Sequence, residues 1–134
     1  MSKRTKDALT KLLKEALLRR EEIIFAYIHG SFLALPDFRD VDIALYVNPE
    51  KVSSSEAFDY AFRLSVDLSH LTSQDIDVQI MNYAPLGFRH SVFKNGRPLF
   101  TRDEALRAEV IEQTVLEYIA FYELSLQYMR DLVL

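Results

Sequence analysis

The segment at residues 40–47, which reads DVDIALYV, places the strongest constraint on the fold. Its last five residues form an apolar run that Asn48-Pro49 stops, which is typical of a buried strand. Residues two apart on a strand point to the same side, so Asp40 and Asp42 would project side by side. Two adjacent carboxylates disfavour each other's ionisation unless something neutralises them. The segment therefore predicts a buried strand that begins at a site in need of positive charge.

Helical and strand-like patterns alternate along the rest of the chain. Apolar spacing and cap residues predict helices at residues 5–20, 57–71, 85–95 and 101–134, with serine caps at 53–55 and a threonine cap at Thr101. Strands are predicted at 22–29, 41–47, 75–81 and 97–100, and a short helical turn and loop at 32–39. Strands separated by helices indicate an α/β or α+β sheet with helices packed on it. With 134 residues, we expect a single domain, with a sheet-containing core at 1–100 and a C-terminal interaction helix at 101–134.

Composition excludes several classes of function. The formal net charge is -4, whereas a domain that coats nucleic acid needs a basic surface, so no direct nucleic-acid binding is expected. The absence of cysteine excludes disulfides and thiolate metal sites, which suits a reducing cytoplasm. Lysines interrupt the apolar residues of the N-terminal segment, which is therefore predicted to be neither a signal peptide nor a membrane span. We expect a soluble, cytoplasmic protein with no membrane contact.

The residues around the paired aspartates indicate chemistry at phosphate. Hard oxygen ligands suit Mg²⁺, and Asp77, on the polar face of the strand at 75–81, would add a third carboxylate if that strand lies beside the Asp40 strand. Such a set could hold two Mg²⁺ ions for displacement at phosphorus. Gly30 and Ser31 would let the backbone approach a triphosphate. His29 precedes this turn and is within reach of phosphates, but a strand-end histidine is more often structural.

Four motifs give the sequence a family resemblance: IHGSF, DVDIALYV, DIDVQIMNYAP and VFKNGRPLF. Together they resemble the minimal nucleotidyltransferases of the DNA polymerase β superfamily, and most of all the MNT-domain antitoxins that pair with HEPN ribonuclease toxins. The resemblance implies a small mixed sheet flanked by helices, with ATP as substrate and Mg²⁺ as cofactor. It also implies that Gly30 and Ser31 bind the nucleotide and that Asp40, Asp42 and Asp77 are the metal-binding catalytic carboxylates, whereas Asp75 matches less well.

The resemblance further implies a protein adenylyltransferase that moves AMP from Mg-ATP to a hydroxyl, a tyrosine on the HEPN toxin, and so neutralises the toxin. Two alternatives stay open: an antitoxin that masks its toxin by binding alone, and a nucleotidyltransferase acting on a small molecule. The binding-only alternative rests on GSFLALPDFRDVD, which lacks the arginine and glycine common in the family turn and has a shorter spacer. Arg39, Lys94 or Arg97 could supply the missing positive charge.

The predicted C-terminal helix is apolar on nearly every side between residues 115 and 133. One side of a 134-residue domain cannot cover such a helix, so we expect it to bind a protein partner or a second copy of the chain. The alternative is that the helix packs lengthwise across its own sheet.

Overall fold

The computed structural model describes residues 3–34 and 40–133, and its elements follow the predicted order. The helices are α1 (Lys3–Leu18), α2 (Ser31–Ala34), α3 (Ala57–Thr72), α4 (Leu86–Asn95) and α5 (Glu104–Val133). The strands are β1 (Ile23–His29), β2 (Asp40–Val47), β3 (Asp75–Ile80) and β4 (Arg97–Thr101), and a 3₁₀ turn (Met81–Tyr83) follows β3. The predicted α/β class is confirmed. Of the predicted turn and loop at 32–39, residues 35–39 lie outside the described part.

The four strands form one mixed sheet in the order β3-β2-β1-β4. Strand β1 is antiparallel to both β2 and β4, whereas β2 and β3 are parallel. The carboxyl end of β1 therefore meets the amino ends of the other three strands at one end of the sheet. The glycine-serine turn and the aspartates lie at this end.

Alternation along β2 gives the sheet two different faces. Its residues Val41, Ile43, Leu45 and Val47 are buried against α1 and α3 in the larger core. The opposite face carries a smaller core under α4 and the first half of α5, built from Phe25, Tyr27, Ala44, Met81, Val92 and Val110. Full burial of one large apolar side chain contributes about 1.5–3 kcal/mol, so both layers hold the sheet in place. Asp40 and Asp42 lie on the second face, beyond the part that α4 and α5 cover.

Helix α5 packs on the domain only along its first half. Val110 and Thr114 are its buried residues. Arg89 pairs with Glu117 at 3.5 Å, and the His90 ring stacks on Tyr118 with 3.7 Å between centroids. Most of the large apolar side chains that follow Thr114 on the helix are exposed, among them Leu116, Ile119, Phe121, Tyr122, Leu124, Tyr128, Met129 and Leu132. Lengthwise packing across the chain's own sheet is therefore wrong for the second half of α5.

Despite this apolar surface, none of the helices in the described ranges combines the length and the continuous apolar sequence that crossing a membrane requires.

The helix caps differ from the sequence prediction. Thr101 is the last residue of β4 rather than the cap of α5, and Asp103 takes that role, because its Oδ1 accepts a 3.0 Å hydrogen bond from the Leu106 N–H. The Thr101 hydroxyl oxygen instead accepts from the Asp103 N–H at 3.2 Å. Before α3, the Ser53 hydroxyl donates to the Glu56 carboxylate at 2.7 Å rather than capping the helix. The predicted interaction helix thus begins at Glu104.

Candidate active site

The parallel pairing of β2 and β3 brings the predicted carboxylates together. In the register of the two strands, Asp42 lies opposite Asp77 and Asp40 lies opposite Asp75. Neighbouring strands are about 4.8 Å apart, so the paired residues share one face at contact range. The condition attached to Asp77, that its strand lies beside the Asp40 strand, is met.

Asp77 is closer than Asp75 to the centre of this group. Asp77 acts electrostatically on both Asp42 and His29, whereas Asp75 is not among the groups that perturb either residue. The difference follows from position, because Asp75 is the first residue of β3 and Asp77 lies one step inside the sheet. Asp77 thus lies nearer than Asp75 to Asp42 and His29, and its role as the third carboxylate stays a prediction.

The glycine-serine turn packs directly onto Asp42. Gly30 has φ +81°, in the left-handed region that favours glycine, and a Cβ atom there would lie 2.3 Å from Asp42 Oδ2. The turn closes through a 3.2 Å bond from the Leu33 N–H to the Gly30 carbonyl. The Ser31 hydroxyl donates to the Asp40 carbonyl at 3.3 Å, which ties the turn to the start of β2. The backbone at Gly30 therefore approaches the carboxylates as only glycine permits.

His29 belongs to the same group of side chains, although the sequence reasoning gave it little weight. It lies opposite Asp42 in the antiparallel register, and its ring meets Phe88 edge to face at 5.5 Å between centroids. Its Nε2 atom is buried with no hydrogen-bond partner among the described residues. Strand alternation could have placed His29 on the same face as Tyr27, but its position opposite Asp42 depends on the pairing of β1 with β2.

Burial and mutual repulsion set the charge state of the group. Burial raises the pKa of Asp42 above its ordinary value, nearby His29 opposes this rise, and Asp77 and Asp40 add to it. Burial lowers the pKa of His29, against the opposing effect of Asp42 and Asp77. A neutral histidine beside crowded carboxylates leaves a local excess of negative charge, which a cation would relieve.

Asp40, Asp42 and Asp77 carry the kind of oxygen ligands that Mg²⁺ prefers, but their side chains are not arranged around one point. Within residues 3–34 and 40–133, no three histidine, aspartate or glutamate side chains are grouped closely enough to hold a metal ion between them. Nevertheless, the carboxylates are hard oxygen donors on one face, and Asp40 is exposed. Burial raises the pKa of Asp42, and Asp77 and Asp40 add to this rise, so a cation there would relieve unfavourable charge. The residues present therefore fit the ion in the chemistry of their donors, and the three carboxylates would have to move closer together to hold it.

The cations proposed to assist the turn are only partly placed. Arg97 lies opposite Ile28 in the β1–β4 register, at the same end of the strands as the Gly30 turn, and its side chain is exposed. Lys94 is exposed in the last turn of α4. Arg39 lies outside the described residues. Arg97 therefore begins the strand that lies beside the end of β1, just before the Gly30 turn.

The mixed sheet, together with the aspartates beside the Gly30 turn, is typical of a nucleotidyltransferase. Residues 11–105 match the family model described as "Polymerase beta, Nucleotidyltransferase", which covers more than half of the chain. The protein therefore belongs to that family. No curated protein sequence matches the chain.

Solved structures extend the likeness to the whole chain. One is described as a tri-AMPylated Shewanella oneidensis HEPN toxin in complex with MNT antitoxin; the match has a TM-score of 0.68 and 16% identity and covers 100% of both chains. A second is a toxin-antitoxin with AMP-PNP, at TM-score 0.65 and 17% identity over 96% of this chain and 98% of the other. A third is the toxin-antitoxin MntA-HepT, at TM-score 0.58 and 17% identity over 98% and 95%. At these identities the structures establish a shared fold over nearly the whole chain.

Proposed function

We propose that the protein is an MNT-type antitoxin that transfers AMP from Mg-ATP to a hydroxyl of a partner HEPN toxin. The observation that carries the proposal is the packing of Gly30 onto Asp42, with Asp77 beside Asp42 on the next strand. A structural role alone gives no reason to keep mutually repelling carboxylates against a turn that only glycine permits. Two of the matched structures are consistent with this reaction, because one contains a tri-AMPylated toxin and the other is a toxin-antitoxin with AMP-PNP.

Asp40, Asp42 and Asp77 would hold the magnesium ions, two of which are expected. When bound, Mg²⁺ neutralises phosphate charge and lowers the pKa of a coordinated hydroxyl. The turn at Gly30 and Ser31 would hold the triphosphate on the β1 side of Asp42, while Asp77 faces the acceptor on the β3 side. Most of the rate enhancement would come from this positioning and from charge neutralisation.

The reaction forms one bond and breaks another at the α-phosphorus of ATP. The acceptor oxygen attacks in line, the bond to the bridging oxygen of the β-phosphate breaks, and pyrophosphate leaves. The acceptor proton would pass to Asp77 or to water. For the acceptor we propose a tyrosine of the toxin, whose modification would block the RNA-cleaving site. We propose that the pair acts in the cytoplasm, where a toxin that cleaves cellular RNA would find its substrate.

The second half of α5 would bind the toxin. Six of its apolar residues recur at alternating spacings of four and three, the pattern that packs against another helix: Val115, Ile119, Tyr122, Leu126, Met129 and Val133. This seam lies about a third of a turn round the helix from the side that packs at Val110 and Thr114, so the chain's own body does not cover it. Helix α5 contains six acidic residues and two basic ones, Arg107 and Arg130, so its net charge is negative. This charge disfavours pairing of two copies and suits a basic partner helix.

An antitoxin that acts only by binding remains the second candidate. The absence of a three-residue metal cluster among the described side chains favours it. Transfer to a small molecule is less well supported, because one matched structure carries its AMP groups on a toxin.

Labelled ATP separates these functions. The protein is incubated with Mg²⁺, ATP labelled in its adenosine and the product of the neighbouring gene as the candidate toxin, and the ribonuclease activity of that product is followed in parallel. Label on the toxin, lost in the Asp42→Asn variant, supports the enzyme. Inhibition of the toxin with no label, and with Asp42→Asn as effective as the wild type, would replace it with the binding-only function.

A further inference from the structure

An apolar groove of about 590 Å³ runs along the free edge of the sheet, next to Asp77. We call it the edge groove; its walls include Phe58, Phe62, Ser65, Asp77, Ile80 and Tyr83. Strand β3 ends the sheet on this side, and α3 packs along it. Asp77 is the one groove residue that the proposed metal site also uses, and none of the residues of the α5 seam line the groove.

Two phenylalanine side chains of the groove are highly exposed to solvent. Phe58 is 83% exposed and Phe62 is 60% exposed, and they lie one helical turn apart on α3. Tyr83 is held as a fixed wall, because its hydroxyl donates to the Val52 carbonyl at 2.8 Å. An exposed apolar surface of this kind marks a binding site more often than a solvent-facing one.

The position of the groove identifies which substrate reaches it. The sheet order places Asp77 on β3, Asp42 on β2 and the Gly30 turn at the end of β1, so these groups follow one another across the sheet. With the triphosphate on the Gly30 side, the acceptor hydroxyl must enter from the Asp77 side. The edge groove begins on that side.

The chemistry of the lining favours an apolar protein segment over a phosphate-bearing ligand. Asp77 is the one charged side chain among the described residues that line the groove, and its charge is negative. A phosphate would require cations, whereas an uncharged segment that carries a hydroxyl would not.

A bound peptide could not pair as an additional strand with β3 at Ile76 and Val78. The outward N–H groups of Ile76 and Val78 donate to the hydroxyls of Ser69 and Ser65 at 3.0 and 2.9 Å. An added strand needs those N–H groups, so recognition there would depend on side chains in the groove.

From these contacts we propose that the edge groove docks the acceptor segment of the toxin, with apolar residues against Phe58 and Phe62 and its tyrosine hydroxyl directed at Asp77. This inference rests on the proposed function and specifies how that function selects its protein substrate.

Two exposed phenylalanines and a matched control on the same helix test the proposal. Phe58→Ala and Phe62→Ala should each raise the KM for the toxin about tenfold, with the KM for ATP unchanged and kcat at saturating toxin within about twofold. Leu71→Ala, at a residue of α3 that is 49% exposed and outside the groove, should leave all three constants unchanged. Thermal melting confirms that each variant is folded.

Several results would overturn the assignment. An unchanged toxin KM in both phenylalanine variants removes the groove from acceptor binding, and a raised KM for ATP instead assigns it to the nucleotide base. A wild-type dimer in light scattering that both variants dissociate assigns it to a second copy of the chain.

The measurements distinguish an error in the proposed function from an error in the assignment of the groove to acceptor binding. If the wild type binds the toxin without transferring AMP, the enzymatic function fails, and the groove is judged on binding, which should weaken about tenfold in the two phenylalanine variants alone. If the wild type neither labels nor binds the toxin, both proposals fail.

Discussion

Replacing Gly30 with alanine should damage the site far more than the fold. A non-glycine residue in the left-handed region costs about 1–2 kcal/mol, which is the expected loss in free energy of unfolding. The new Cβ would lie 2.3 Å from Asp42 Oδ2, whereas ordinary contact begins at 3.4 Å, so the carboxylate must retreat by about 1 Å. A misplacement of that size at a reacting centre costs about 100-fold in rate. Urea unfolding and AMP transfer to the toxin measure the two effects separately.

Gly87 provides the matched control. It lies in the first turn of α4, and a Cβ there would meet nothing within 4 Å. Gly87→Ala should therefore leave transfer unchanged and increase the free energy of unfolding by about 0.5 kcal/mol. The reasoning is refuted if Gly30→Ala is as stable as the wild type and transfers AMP at the same rate.

Three further changes test the electrostatics and the frame of the fold. The raised pKa of Asp42 means that the folded chain holds this proton more tightly than the unfolded chain does, so the associated stability is present below the ordinary pKa of 3.8 and is lost as pH rises through the folded value. Without Mg²⁺, Asp42→Asn should thus have a higher Tm than the wild type at neutral pH, with a gap that closes below pH 3.8; a lower Tm in calorimetry at pH 7 would contradict this. Asp103→Ala should lower the free energy of unfolding in urea by about 1 kcal/mol through loss of the α5 cap, and no change would mean that this cap is dispensable. Asn82→Ala should cost about 1–3 kcal/mol in the same assay, because the Asn82 amide bonds both the N–H and the carbonyl of Val47 at 2.9 and 2.8 Å; wild-type stability would show that this bridge adds nothing.

Local patterns in the sequence predicted the helices and strands well. The continuous apolar run after Asp42 and the alternation at 75–81 each correspond to a strand with the expected buried face. Both patterns depend on the two-residue repeat of a strand, which is readable without knowing the partner strands. The placement of Asp77 on a polar face followed from the same repeat.

Features that depend on how distant segments meet were not readable. The sequence could not show that β3 pairs in parallel with β2, and this pairing alone brings Asp77 opposite Asp42. It also could not show that β3 ends the sheet, which is why the edge groove beside Phe58 and Phe62 went unpredicted. The α5 cap was misplaced because Thr101 and Asp103 are both good caps, and the choice depends on where β4 ends.

The two aspartates of β3 allow the most direct test of the proposed chemistry. Intact mass spectrometry follows the toxin after incubation with Mg-ATP and the wild-type protein, the Asp77→Asn variant or the Asp75→Asn variant. We predict that the wild type and Asp75→Asn add AMP to the toxin and that Asp77→Asn does not, although both variants lose one negative charge from the same face of the same strand. Addition of AMP by Asp77→Asn at the wild-type rate would contradict the account.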